Sequence, residues 1–253
     1  MDLAIKEKFV EKWNNYFPGS DLPIACYYSD ELNGIKFPNA PKPNKKGYTC
    51  IFSQLAPVRV GKPRAFNQDN FGCWGASATL GFGKEPTKED MDHMVDFLIN
   101  VEKFKKSEAH VMGMVESNPP LPPAKGKYII FKRWDALTEE DDPQVLCFFV
   151  GPDAIGGLHS LANFDTTSPH GVIAPFGSGC DSVVGFAMKE LASDDPKAVI
   201  GLFDPPARAC VKPNLLSFSI PWPKFLTMLA NMDDCFLNTY IWEKINKRMK
   251  PSS

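Results

Sequence analysis

Apolar residues recur every three or four positions near the start of the chain, and this spacing predicts an amphipathic helix. Phe9 and Trp13 fall on one face of residues 3–17, and Asp2 precedes them as a capping residue. Another helix is predicted to begin at Thr87, where a capping signal precedes an apolar stripe. Further helices are predicted over residues 76–80, 104–115, 152–164, 180–191, 224–232 and 236–248.

Short apolar runs between turn signals predict strands. The run Val145–Val150 is apolar throughout, which is typical of an inner strand covered on both faces. Because predicted strands and helices alternate along the chain, we expect a mixed α/β (α+β) fold, with a mixed sheet and flanking helices. The other predicted strands cover residues 23–28, 128–133, 199–203 and 215–220, with a short strand or linker at 64–67.

The chain of 253 residues is predicted to be a single α/β domain over residues 1–253, with the proline-rich stretch Asn118–Lys125 as a candidate internal boundary. Another proline-rich stretch, Asn39–Lys46, is predicted to cross the surface. Segments 72–82 and 179–188 both place Gly-Cys at the start of a helix rich in small residues. This echo suggests two similar halves around one pocket.

Composition and charge exclude several classes of protein. A net charge of -2 argues against a nucleic-acid binder that neutralises phosphates. No apolar run reaches the roughly 18–20 residues that a transmembrane helix needs, and the N-terminus lacks the apolar core of a signal peptide. We therefore expect a cytoplasmic protein whose thiols stay reduced, with neither nucleic acid nor membrane as a partner.

Seven cysteines carry the most informative chemistry in the chain. Cys26, Cys147 and Cys235 stand in or beside apolar runs and are interpreted as core thiols. Cys73 and Cys180 follow glycine at predicted helix starts, where free N–H groups and the helix dipole stabilise a thiolate. With two more cysteines beside turns or cations, they make up the candidate site: Cys50, Cys73, Cys180 and Cys210.

Spacing alone does not identify what these thiols bind. The chain has no Cys-x-x-Cys pair, so the short-loop zinc and ferredoxin signatures are absent. A metal site, a cluster site and a reactive nucleophile all remain open, since each uses thiolates near helix starts or cations. Cys73 and Cys180 are the candidates for a nucleophile, although no histidine is evidently paired with them.

Four ordered segments are similar to one known family. The chain resembles domain-of-unknown-function family 169, a group of uncharacterised archaeal and bacterial four-cysteine proteins, over roughly residues 20–222. Trp74-Gly75 stands here where that family has a glycine pair, and Arg208 precedes Cys210 rather than following it. The segments that carry the resemblance are TCIFSQLAPVRVGKP, GCWGASATLGFG, GSGCDSVVGFAM and ARACVKP.

The resemblance implies that the four candidate cysteines match the family's cysteines and meet in space. Four thiolates framed by small residues suit a [4Fe–4S] cluster, which predicts a redox or electron-transfer protein with an unidentified redox partner. Zinc held by the same thiolates is one alternative. Another is a non-catalytic module in which the cysteines line a pocket for a small organic or tetrapyrrole-like ligand. Whether the protein is an enzyme stays open.

Overall fold

A seven-stranded sheet forms the centre of the protein in a computed structural model that describes residues 1–35 and 50–250. The strands are β1 (Ile24–Ser29), β2 (Arg64–Phe66), β3 (Tyr128–Arg133), β4 (Val145–Val150), β5 (Val172–Ile173), β6 (Ala198–Gly201) and β7 (Leu216–Pro221). Their order is β2-β3-β1-β4-β7-β6-β5. All neighbours are antiparallel except β5 and β6, so the predicted mixed sheet is confirmed.

Helices cover both faces of this sheet, which confirms the predicted α/β class. In the described part of the chain, two π-helical turns interrupt the regular pattern: residues 97–101 continue α4, and residues 181–185 lead into α7. The α-helices of the described residues are α1 (Leu3–Tyr16), α2 (Ile51–Arg59), α3 (Trp74–Thr79), α4 (Lys88–Asp96), α5 (Glu108–Ser117), α6 (Pro152–Ala162), α7 (Phe186–Glu190), α8 (Pro205–Arg208), α9 (Trp222–Asn231) and α10 (Tyr240–Met249).

Strand β4 is central and buried along its whole length, as its apolar sequence predicts. Side chains alternate between the two faces of a strand. Leu146 and Phe148 therefore join a core formed with α1, α6, α9 and α10. Val145 and Cys147 join the opposite core, formed with α2, α3, α7 and the π turn before α7. All four candidate cysteines belong to, or pack against, this second core.

The predicted helix starts at the two clearest capping signals are confirmed. The Asp2 carboxylate accepts a 2.8 Å hydrogen bond from the N–H of Ala4, at the start of α1. Before α4, the Thr87 hydroxyl accepts from the N–H of Asp90, while the Asp90 carboxylate accepts from the N–H of Thr87. These bonds satisfy N–H groups that a helix leaves without internal partners.

The proline-rich segment at residues 118–125 packs along α3. The N–H of Leu121 donates to the carbonyl of Thr79 at 3.3 Å, and the N–H of Ala124 donates to that of Gly81 at 2.9 Å. Strand β3, which follows this segment, pairs with β1 and β2, which precede it. The surface crossing predicted over residues 39–46 lies outside the described residues.

Several boundaries differ from the sequence-based expectations for local reasons. Strand β6 ends at Gly201 because Leu202 has a left-handed backbone, with φ at 68°. Residues 236–248, expected as one helix, divide into a 3-10 turn and α10 because Thr239 caps a new helix start. Strand β5 and helix α8 are too short to leave a periodic signal. No helix within the described ranges combines the length and apolar character needed to cross a membrane.

Candidate functional site

Cys50 stands at the N-cap of α2 and is half-buried at the edge of the second core. Burial raises the pKa of its thiol to about 12, while the backbone N–H of Phe52 lowers that pKa. The neighbouring thiols of Cys210 and Cys73 raise it further, since nearby negative charges oppose ionisation. Cys50 therefore lies close enough to both cysteines to interact with them electrostatically.

Cys73 occupies the equivalent N-cap position on α3 and is also half-buried. Gly72 turns the chain into this helix with φ at 66°, a backbone conformation that favours glycine. Burial raises the pKa of the Cys73 thiol, whereas the N–H groups of Ala76 and Gly75 lower it. The helix start does favour the thiolate, as expected, but burial outweighs it.

Cys180 is the most buried of the four, with 8% of its surface exposed, and stands directly before the π turn. Burial raises the pKa of its thiol well above the ordinary value. The thiols of Cys73 and Cys50 raise the pKa further, followed by the carboxylates of Asp181 and Asp204. Cys180 thus interacts with two other candidate cysteines across the second core.

Cys210 lies in the turn that follows α8 and is half-buried. Its thiol donates to the carbonyl of Pro206 at 3.8 Å and lies near enough to Cys50 to raise the pKa of that thiol. Arg208, which sequence proximity places beside Cys210, instead donates from its guanidinium to the carbonyls of Pro213 and Leu215. This guanidinium braces the loop before β7.

The structure brings all four candidate cysteines into one neighbourhood. Cys210 and Cys73 both raise the pKa of Cys50, and Cys50 and Cys73 both raise the pKa of Cys180, so each of the four thiols lies near at least one other. They come from four separate segments of the chain on the same side of the sheet. For Cys50 and Cys180 the neighbouring thiols add to the effect of burial, and a bound cation would compensate the charge of the thiolates.

Three of the segments that carry the candidate cysteines pack closely together at Gly179. A Cβ at this position would lie 2.4 Å from the Cβ of Ala207 and 2.5 Å from Cε2 of Phe52. Only a residue without a side chain fits between α8 and α2 here. The segment before Cys180 is thereby pressed against the helices next to Cys210 and Cys50. Helix α3 also packs on the π turn, since a Cβ at Gly185 would lie 3.3 Å from Cγ2 of Thr79.

Asp204 is a buried carboxylate at this junction that the sequence-based reasoning did not select. Its Oδ2 accepts a 2.9 Å hydrogen bond from the N–H of Gly179, while its buried Oδ1 has no partner within the described part of the chain. Burial raises the pKa of Asp204, and the nearby Asp181 raises it as well. The available sequence signal was the Asp-Pro-Pro run, which is typical of a helix start.

The other three cysteines lie where the sequence interpretation put them, in buried positions. Cys26 and Cys147 point from β1 and β4 into the second core, and the Cys147 thiol donates to the carbonyl of Val183 at 3.1 Å. Burial raises the pKa of the Cys147 thiol to about 12. Cys235 belongs to the first core on the opposite face of the sheet. None of the seven cysteines forms a disulfide.

A cavity of about 370 Å³ opens beside Cys73. The turn around Cys73 and Trp74 lines one part of it, and the chain from Phe82 to Glu85 lines another. The cavity lies on the α3 side of the cysteines, so it is not bounded symmetrically by the two Gly-Cys segments. Trp74 is 46% exposed, which is unusual for so large an apolar side chain.

The arrangement of the four cysteines bears on each of the three possibilities that the sequence left open: a reactive nucleophile, a metal site and a cluster site. An activated nucleophile needs a lowered pKa, but the pKa values of Cys73 and Cys180 are both raised. Across residues 1–35 and 50–250, no group of three or more His, Cys, Asp or Glu side chains is arranged to hold a metal ion. The cysteines of a [4Fe–4S] cluster each bind a different iron, so their sulfurs lie further apart than those around one ion.

Comparison with known proteins identifies one family. Its model matches residues 20–231, which is most of the chain and contains all four candidate cysteines. The family is DUF169, described as "Uncharacterised ArCR". Neither the curated proteins nor the solved structures gave a match to this chain.

Proposed function

The chain belongs to the DUF169 family, and from its grouped cysteines we propose that it is an iron–sulfur protein with a redox or electron-transfer role. In this proposal Cys50, Cys73, Cys180 and Cys210 are the ligands of a [4Fe–4S] cluster. The observation that carries the proposal is that thiols from four separate segments lie near one another at the second core, with Cys50 next to the other three. When bound, such a cluster would accept and donate single electrons.

The protonation chemistry of the thiols supports a cationic occupant. Burial raises the pKa of Cys50, Cys73 and Cys180, and neighbouring candidate thiols raise the pKa of Cys50 and Cys180 further. A metal centre compensates the negative charge of thiolates, so its binding releases the protons that these residues otherwise keep. Soft thiolate donors select iron–sulfur clusters, zinc or copper(I) over hard cations. The donor set therefore suits the proposed group.

The surroundings of the thiols also suit a redox centre. The N–H of Phe52 interacts with the sulfur of Cys50, and the N–H groups of Gly75 and Ala76 interact with that of Cys73. Hydrogen bonds to ligand sulfurs and exclusion of solvent are two means by which proteins set a cluster's potential. The buried residues of the second core supply that exclusion. A cytoplasmic location, which we include in the proposal, keeps unoccupied thiols reduced.

The proposal is tested by purifying the protein without oxygen. We expect brown protein with about four irons and about four acid-labile sulfides per chain. Single substitutions Cys50→Ser, Cys73→Ser, Cys180→Ser and Cys210→Ser should each lower both contents. Cys235→Ser is the matched control, because Cys235 is buried in the opposite core and should leave them unchanged. Colourless protein without iron or sulfide after anaerobic reconstitution overturns the proposal.

Two other functions predict different analyses. Zinc held by the same thiolates gives about one zinc per chain and no sulfide, because one ion binds all four sulfurs at about 2.3 Å. A binding module for a small organic ligand is favoured by the cavity beside Cys73. That function predicts a tightly bound organic molecule in protein that holds neither metal nor sulfide. Metal, sulfide and small-molecule analysis of one preparation separates the three functions.

A further inference from the structure

The cavity beside Cys73 has the size and the walls of a small-molecule site. Its volume of about 370 Å³ falls within the range of roughly 300–1,000 Å³ that is usual for ligand pockets. Cys73 and Trp74 line it from the start of α3, and residues 82–85 line it from the following loop. Asp90 lines the cavity from α4. The walls therefore come from three neighbouring segments of chain.

Aromatic rings provide the apolar part of these walls. The rings of Phe71 and Phe82 both line the cavity, with centroids 5.3 Å apart and planes at 49°. Phe82 is supported from behind by Tyr28, at a centroid distance of 6.0 Å. The indole of Trp74 adds a wall that is 46% exposed. A flat or branched apolar group that entered the cavity would contact rings of well-defined position.

Charged groups of both signs line the same cavity. Oδ2 of Asp90 accepts hydrogen bonds from the N–H and the hydroxyl of Thr87 at 2.9 and 2.7 Å, which hold this carboxylate at the start of α4. Lys84 and Glu85 differ from it, since neither makes an ion pair with any other residue that the structure describes. The Lys84 ammonium and the Glu85 carboxylate are thus free to pair with a ligand, beside the Asp90 carboxylate.

We infer that this cavity binds a free amino acid with an apolar or aromatic side chain. The ligand's carboxylate pairs with the Lys84 ammonium, its ammonium pairs with the Glu85 carboxylate, and its side chain packs against Trp74 and Phe82. A zwitterion pairs with both Lys84 and Glu85, whereas a ligand with a single charge pairs with only one of them. The inference does not depend on the proposed iron–sulfur centre.

Three probes that differ in one charged group test the ligand class by isothermal titration calorimetry. L-phenylalanine carries both charges, 3-phenylpropionate lacks the ammonium, and phenethylamine lacks the carboxylate. We expect L-phenylalanine to bind about three- to fivefold more tightly than either analogue, as one partly exposed charge pair allows. Equal affinity for all three probes, preference for an analogue, or no binding of L-phenylalanine overturns the inference.

Charge-removing variants test the two assigned contacts. Lys84→Gln should weaken L-phenylalanine and 3-phenylpropionate but leave phenethylamine unchanged, and Glu85→Gln should show the reverse preference between the analogues. Lys88→Gln is the matched control, because Lys88 is exposed nearby but does not line the cavity. Trp74→Ala should weaken all three probes, and circular dichroism checks that each variant is folded. Unchanged binding in Lys84→Gln and Glu85→Gln overturns the assigned contacts.

The same titrations distinguish this inference from the proposed function. They are run on the protein as purified and again after removal of any metal, with iron and sulfide measured on both samples. Binding of L-phenylalanine to protein that never contains iron supports the inference while the iron–sulfur proposal fails. Brown, iron-loaded protein that binds none of the probes gives the opposite result.

Discussion

The N–H of Gly179 donates a 2.9 Å hydrogen bond to Oδ2 of Asp204. Gly179 directly precedes Cys180, and Asp204 directly precedes the short helix that leads to Cys210. This bond therefore joins the backbone beside one candidate ligand to the segment that carries another. Because both groups are buried, water cannot replace the bond if either partner is removed.

Removing the carboxylate of Asp204 should show how much its hydrogen bond with Gly179 contributes to stability. Asp204→Ala leaves the buried N–H of Gly179 unpaired and should lower the free energy of unfolding by about 1–3 kcal/mol. Asp204→Asn keeps an oxygen acceptor at the same place and should cost less than Asp204→Ala. Urea unfolding at pH 7 measures both variants. Equal losses in the two variants would show that the hydrogen bond to Gly179 contributes nothing measurable.

A methyl group at Gly179 should force apart the segments around the cysteines. In Gly179→Ala the new Cβ would collide with Ala207 and Phe52, and such overpacking costs about 1–3 kcal/mol of unfolding free energy. The iron content after anaerobic reconstitution should fall as well. Gly113→Ala is the matched control, because nothing lies within 4 Å of its Cβ position inside α5.

The control variant Gly113→Ala should change the free energy of unfolding in the opposite direction. Alanine at Gly113 should stabilise the helix by about 0.5–1 kcal/mol, since glycine loses more backbone entropy on folding. A Gly179→Ala variant as stable and as rich in iron as the wild type would contradict the close approach described here.

Two buried serines of β7 should respond differently to the same substitution. The Ser219 hydroxyl donates to the carbonyl of Val183, in the π turn after Cys180, at 2.6 Å. Ser219→Ala should therefore lower the free energy of unfolding by about 1 kcal/mol. Ser217 is buried to the same extent, but its hydroxyl has no partner in the described ranges, so Ser217→Ala should be neutral or stabilising. Thermal and urea unfolding measure both variants. A larger loss of stability in Ser217→Ala than in Ser219→Ala would contradict the hydrogen bond assigned to Ser219.

A buried ion pair should make stability depend on pH in the acid range. Oδ1 of Asp141 accepts a 2.7 Å bond from the ammonium of Lys132, which is buried with it. Burial raises the pKa of Asp141, but hydrogen bonds from Lys132, Tyr27 and the backbone of Thr138 outweigh it, so the pKa lies below the ordinary value. The stabilisation is therefore present above about pH 4, the usual aspartate pKa, and is lost as the pH falls through the folded-state pKa.

Asp141→Asn tests this pH dependence. The variant should lose about 3–5 kcal/mol at pH 7, because it leaves the charge of Lys132 buried and unpaired. Its stability should also fall less steeply than that of the wild type between pH 5 and pH 3. The neighbouring Asp142→Asn is the control, since Asp142 is exposed. Identical acid unfolding of wild type and Asp141→Asn would contradict the role of the ion pair.

Local patterns were sufficient for most of the fold. The boundaries of β3 and β4 follow from apolar runs between turns, and the Asp2 and Thr87 caps from side chains within three residues of the N–H groups they bind. The burial of Cys26 and Cys147 follows from their neighbours in the chain. Such signals can be recognised in the sequence because all the residues that produce them lie within one helical turn or one strand.

The properties of the candidate thiols depend partly on local sequence and partly on tertiary structure. The sequence by itself predicted that Cys73 stands at a helix start, with N–H groups that favour thiolate, and the structure confirms this position. Only the tertiary structure decided that burial reverses this effect and that the four candidate thiols meet, because both depend on packing between segments far apart in the chain. The close packing of Gly179 against α2 and α8 also cannot be predicted from the pattern of apolar residues in the sequence. Helix starts are local, whereas desolvation and convergence depend on how the whole core closes.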